Sequence, residues 1–194
     1  MVVDSFKMRK QEVLAKLDKS SKGDWDKPIL ELCEKINEMP DYYTTSSCSG
    51  RVLVMVDQEK KGPGLFEFVS HDLVRLEDIN DSLNSRGMTL GSLDKDLGLK
   101  FKNEPCILHV ACKDLDLAQE FLEKAKLAGW KRSGIISSGR RFIIEMNGTD
   151  KLEFPIMKNG KILVDDEFLA LIVEKSNKNM KRSWLKIQKL KDII

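Results

Sequence analysis

The sequence predicts an α+β protein: a mixed or antiparallel sheet with flanking helices, followed by a long C-terminal helix. Three observations lead there. Val52-Leu53-Val54-Met55-Val56 and Leu65-Phe66-Glu67-Phe68-Val69 are two strand-like runs joined by Gly62-Pro63-Gly64, which reads as a hairpin. Phe168, Leu169, Ile172, Ser176, Met180, Trp184, Ile187 and Leu190 fall at helical spacing in one continuous stripe. No Gly-x-Gly-x-x-Gly joins an opening strand to a helix, so the doubly wound Rossmann sheet is not the expected architecture.

Taken in order, the chain opens with a helix from about Ser5 to Asp18, apolar at Phe6, Val13, Leu14 and Leu17 and basic on the other side. Lys19 to Gly23 breaks it. Asp26 is placed as the cap of a second helix, with Pro28 in its first turn and Ile29, Leu32, Cys33 and Ile36 inward, until Met39-Pro40 stops it. The hairpin follows a polar run, and a helix runs from Leu73 to about Asn84. Ser85 to Lys100 has no clear period and reads as an irregular connection able to fold over a site. After Pro105 come a buried strand, Cys106 to Cys112, and an amphipathic helix, Asp114 to Leu127, ended by Gly129. Strands are expected at Gly134 to Ser137, Arg141 to Met146, Lys151 to Ile156 and, after the Asn159-Gly160 turn, Lys161 to Val164. Asp165 or Asp166 caps the last helix.

The 194 residues are read as a single compact domain, 1–194, with half-units at about 40–85 and 104–175. With 41% hydrophobic and 33% charged residues the composition is that of a soluble globular protein. No apolar run approaches the roughly 20 residues that span a bilayer, and Met1-Val2-Val3-Asp4-Ser5 lacks a signal pattern. The four cysteines show no paired spacing and there are two histidines, so no metal site is expected and the thiols read as reduced, in a cytoplasm. A net charge of +2 means that affinity for a polyanion must come from clustering. The region from Lys175 onward supplies one cluster, with seven basic residues against one acidic.

The chemistry is expected at Thr44-Thr45-Ser46-Ser47-Cys48-Ser49-Gly50-Arg51, read as a loop at the end of the Val52 strand. Hydroxyls donate, glycine admits close backbone approach, and the guanidinium fork suits a carboxylate or phosphate. The alternative is a polar turn with Arg51 in a surface ion pair. Ser49 to Met55 is echoed by Ser138 to Ile144, 89 residues later. A duplicated β-β-α unit would place Arg51 and Arg140 in related loops; chance similarity of two strand starts is the competing reading.

Four motifs in order carry a resemblance: Thr44 to Arg51, then Val69-Ser70-His71, then Glu104 to Val110 with His109, then Arg132-Ser133-Gly134-Ile135. Together they resemble the tRNA-wybutosine-synthesizing protein 3 family, over nearly the whole chain. The resemblance implies an S-adenosylmethionine-dependent methyltransferase. Its substrate would be nitrogen-4 of the tricyclic 4-demethylwyosine derivative beside the anticodon of phenylalanine tRNA. The resemblance carries across Ser46, Ser47, Cys48, Ser49, Gly50 and Arg51 as cofactor-binding residues and His109 as catalytic; Ser133 and Arg140 are added as cofactor-binding candidates and His71 as a second catalytic candidate. Arg51 or Arg140 would grip the donor's carboxylate. Either histidine would take the nitrogen proton, since imidazole titrates near neutrality. Read without the resemblance, His109 is better taken as a core histidine on a buried strand, and His71 as a turn residue. Tyr42, Tyr43 or Trp130 would stack the extruded base. The alternative from another class is a non-catalytic RNA-binding module whose serine loop grips a phosphate.

Overall fold

The computed structural model describes residues 5–15, 25–58, 64–89, 98–139 and 141–194. The elements are α1 (Ser5–Leu14), α2 (Lys27–Glu38), β1 (Tyr42–Cys48), β2 (Arg51–Asp57), β3 (Phe66–Ser70), α3 (Leu76–Thr89), β4 (Gly98–Glu104), β5 (Ile107–Cys112), α4 (Leu115–Leu127), β6 (Arg132–Ser137), β7 (Phe142–Asn147), β8 (Leu152–Lys158), β9 (Lys161–Ile162) and α5 (Asp166–Ile193). Among the described residues every strand pairing is antiparallel. They form two sheets, ordered β1-β5-β7-β6 and β3-β2-β4-β8-β9.

The chain divides into two compact units, each assembled from separated segments. One holds residues 1–49, 106–149 and 182–194; the other holds 50–105 and 150–181. The chain passes from the first to the second between Ser49 and Gly50, inside the serine motif.

The first unit is built on the β1-β5-β7-β6 sheet. Strand alternation sends Tyr42, Leu108, Val110, Cys112, Ile144 and Met146 to one face, where they pack with Ile29, Leu32, Cys33 and Ile36 of α2 and with Ala118, Phe121 and Ala125 of α4. Trp130, Ile187 and Leu190 complete this core. On the other face, Tyr43 and Ala111 are covered by Phe6 of α1, with Val13 and Ile143 at the edge. The cover is partial, and the rest of that face mixes polar side chains with Ile107.

In the second unit β4 pairs with β2 on one side and β8 on the other. Leu99, Phe101 and Asn103 are buried, whereas Lys100, Lys102 and Glu104 alternate onto the other face. The β8–β9 hairpin turns at Asn159 and Gly160, with φ of 52° and 71°, the left-handed pair that a two-residue antiparallel turn requires. The Asp165 carboxylate accepts the Phe168 backbone N–H at 2.8 Å and so caps α5.

Several expectations change. The polar run is strand through Cys48, and only Ser49 and Gly50 connect it to β2; a register shift between Thr44 and Ser46 marks a bulge. A strand, β4, occupies the end of the stretch read as irregular, and α3 begins at Leu76 and continues to Thr89; α1 is helical to Leu14, and residues 16–18 of the expected first helix lie outside the described residues. The two echoed segments enter different arrangements: β2 and β3 form a hairpin, but β7 and β8 lie in different sheets, so no β-β-α unit is repeated. The Gly62-Pro63 turn, residues 90–97 and Arg140 lie outside the described residues.

Candidate functional site

In the first unit the serine motif and His109 meet through strand register. Ser46 lies opposite His109, His109 opposite Glu145, and Glu145 opposite Gly134, a row that crosses all four strands. Directly paired residues share a face, here the one that α1 leaves uncovered. Ser46 is exposed, and the His109 and Glu145 side chains keep 24% and 35% of their surface in solvent. At Gly134 an added Cβ would meet no atom within 4 Å, so the row is open at that end. Cys48 opposite Ile107, and Arg132 opposite Asn147, fall on the same face one step along.

His109 Nε2 lies 2.8 Å from Glu145 Oε2, and Asn147 Nδ2 donates to Glu145 Oε1 at 2.9 Å. Sequence reasoning missed Glu145 and Asn147. Their alternation in Phe142-Ile143-Ile144-Glu145-Met146-Asn147 puts both on one face, a readable signal, but the pairing to His109 is set by register.

The other serines point elsewhere. Ser47, opposite the core residue Leu108, turns to the helix side and hydrogen-bonds Cys33. Burial pushes the Cys33 thiol up to about 12, and the Ser47 bond offsets this only in part. Ser49 is fully buried: its N–H and Oγ both donate to Asp26 Oδ2, at 2.9 and 3.1 Å. Asp26 therefore does not cap α2 with its side chain, as the sequence suggested, but ties the end of β1 to the start of that helix. Ser133, opposite Met146, turns to the core side and donates to the Trp130 carbonyl at 2.7 Å.

In the second unit Gly50 is buried with φ of 102°, a left-handed backbone that favours glycine. Arg51 opens β2 opposite Glu104 and donates from Nε to Glu104 Oε2 at 2.6 Å, with its guanidinium 5.7 Å from the centroid of the Phe66 ring. The ion pair uses the Nε edge; the Nη edge of the fork retains donors for an anion. Burial raises the Glu104 carboxyl, but the bond and charge of Arg51, with Lys102 behind, outweigh it and hold Glu104 below the usual carboxylate range.

Buried amides fix this end of the sheet. Asn179 Nδ2 donates to Asn103 Oδ1 at 2.9 Å, and Asn103 Nδ2 donates to the Arg51 carbonyl. His71 follows β3 directly, and Ser70 pairs with Val52, so His71 emerges at the end where Arg51 begins. Asn177 holds the next stretch, accepting the Val74 N–H and donating to its carbonyl, at 2.9 and 2.8 Å.

Tyr42, Tyr43 and Trp130 are at most 5% exposed and packed in the first unit, so none presents a face on which a base could stack. Their apolar area is worth more inside the core than at the surface.

A family profile described as Methyltransferase TYW3 matches residues 8–194. The chain belongs to the TYW3 methyltransferase family. A Thermococcus sibiricus protein named tRNA(Phe) 7-((3-amino-3-carboxypropyl)-4-demethylwyosine(37)-N(4))-methyltransferase is 33% identical, over 98% of this chain and 94% of that one. The tRNA wybutosine-synthesizing protein 2/3/4 of Arabidopsis thaliana is 34% identical over 90% of this chain, which spans 19% of that longer protein. The structure of PH1069 from Pyrococcus horikoshii superposes with a TM-score of 0.84 at 31% identity, over 96% of this chain and 92% of that one. A TYW3 methyltransferase requires a methyl donor and an acceptor. Among the described residues no helix is long and apolar enough to cross a membrane.

Proposed function

We propose that this chain transfers a methyl group from S-adenosylmethionine to nitrogen-4 of a 4-demethylwyosine derivative beside the anticodon of phenylalanine tRNA, in a cytoplasm. One observation carries the reading. A chain matched to the methyltransferase family over residues 8–194 keeps a histidine on an open sheet face, its ring bonded to a carboxylate. The Thermococcus relative's name supports the substrate.

The donor set fits a sulfonium amino acid by chemistry. In the second unit Arg51 offers its Nη edge to a carboxylate and buried Gly50 admits backbone close to a ligand; in the first unit exposed Ser46 and half-buried Cys48 offer a hydroxyl and a thiol. Arg140 is the second guanidinium proposed, for the donor or for RNA phosphate. Ser47, Ser49 and Ser133 act through Cys33, Asp26 and the Trp130 carbonyl, shaping the strands rather than meeting the ligand. When bound, the cofactor supplies an electrophilic methyl group. The protein's part is to align donor and nitrogen, worth as much as about 7–11 kcal/mol of barrier, and to receive the nitrogen proton at His109, with His71 as the second candidate. Lys175, Lys178, Lys181 and Lys189 are exposed along α5 and would add salt-dependent phosphate contacts.

Calorimetry with S-adenosylmethionine tests the reading. Saturable binding to the wild type, weakened at least tenfold by R51A and unchanged by H109A, is the expected result. A protein that binds tRNA but gives no heat with the cofactor would instead be the non-catalytic RNA-binding module.

A further inference from the structure

We infer that Glu145 is the positioning residue for His109, that Asn147 holds Glu145 in turn, and that the proton is taken at Nδ1. The inference rests on the methyltransferase reading above. A carboxylate oxygen has no proton to give, so at 2.8 Å it is His109 Nε2 that carries the hydrogen and donates to Glu145 Oε2. The lone pair of the neutral ring then sits on Nδ1. Asn147 donates to the other carboxylate oxygen at 2.9 Å, so both oxygens of Glu145 are engaged and its rotation is restrained. The three side chains come from adjacent strands in fixed register, His109 opposite Glu145 on β5 and β7, with Asn147 two residues further along β7 on the same face. Rigid strands hold such a constellation more closely than loops do.

The arrangement suits the reaction. As the nitrogen–methyl bond forms and the sulfur–methyl bond breaks, the electron pair of the broken bond goes to sulfur, which becomes a neutral thioether. The nitrogen's proton passes to His109 Nδ1. The imidazolium so formed is stabilised by the Glu145 carboxylate already bonded to its far side, the role of the orienting acid in hydrolytic triads.

The chain has two histidines, so nitrogen-15 labelling gives two ring systems, and H71Q assigns the remaining one. In the wild type the His109 Nε2 proton should be protected from exchange and shifted downfield. In E145A that signal should be lost. The turnover of E145A should fall roughly 10²- to 10⁴-fold, the usual range for proton-transfer catalysis, with the affinity for S-adenosylmethionine unchanged. E145Q, which keeps volume and an acceptor but not the charge, should retain the ring geometry and still be slow. N147A should show a smaller loss.

A slow H109A beside an E145A of wild-type rate would overturn the role of Glu145 and leave the methyltransferase reading standing. So would a wild-type Nε2 proton in free exchange. An H109A that turns over as fast as the wild type would bring down the parent reading itself, whatever Glu145 does.

Discussion

Removing the Ser49 hydroxyl tests how the motif divides between fold and ligand. Ser49 has no solvent exposure and Asp26 has 6%, and two donors of Ser49 converge on one oxygen of that carboxylate. S49A deletes one hydrogen bond to a charged group, worth about 1.5–3 kcal/mol when buried. Because the Ser49 backbone N–H still satisfies the same oxygen, the lower end applies, about 1.5 kcal/mol. With a urea dependence of about 1–3 kcal/mol per molar, the midpoint should fall by about 0.5–1.5 M. The assay is urea unfolding followed by tryptophan fluorescence. Trp25, Trp130 and Trp184 all belong to the unit that contains Ser49, so the signal reports that unit. S46A, at an exposed position three residues earlier on β1, should move stability by no more than about 0.5 kcal/mol. A stable S49A together with a destabilised S46A would refute the division of the motif into a buried Ser49 and an exposed Ser46.

Two further outcomes follow from the electrostatics. Burial pushes the Cys33, Cys106 and Cys112 thiols up to about 12, which leaves roughly one part in 10⁴ as thiolate at pH 8. Iodoacetamide on the native protein should therefore mark only half-buried Cys48, and S-adenosylmethionine should slow that labelling; mass spectrometry showing early loss of the other three thiols would contradict the packing. The lowered Glu104 carboxyl means that its pairing with Arg51 stabilises the fold fully above the ordinary carboxylate range and is lost as pH falls through the lowered value. Thermal melts should show E104Q below the wild type at pH 7, the gap closing in acid. A gap independent of pH would sink this reading.

What the sequence made legible was local. The α4 helix announced itself through Ala118, Phe121, Leu122 and Ala125 at helical spacing; the structure adds an Asp114 cap, which accepts the Leu117 N–H at 2.9 Å. The Asn159-Gly160 turn, the β2–β3 hairpin and the stripe of α5 were readable for the same reason, since each depends on neighbours within a few residues. β4 was passed over because Lys100, Lys102 and Glu104 made it look like loop, although its alternation with Leu99, Phe101 and Asn103 is the period of a half-buried strand. The serine run was not legible as strand, because small polar residues signal turns unless a partner strand pairs with them. Glu145 and the buried Asp26–Ser49 contact depend on pairings 36 and 23 residues apart, which no local pattern encodes. The aromatic residues misled for a related reason: Trp130 offers a stacking surface by type, but its indole N–H reaches the Lys186 carbonyl at 3.2 Å inside the core.

The central claim, that this chain methylates a tRNA base with His109 receiving the proton, is tested most directly by single-turnover transfer of a labelled methyl group. The substrate is phenylalanine tRNA carrying the 4-demethylwyosine derivative. The wild type should place the label on that one nucleoside. H109A should bind the cofactor equally well and transfer roughly 10²- to 10⁴-fold more slowly. Label incorporated at equal rates by both proteins, or none by the wild type, would contradict the account.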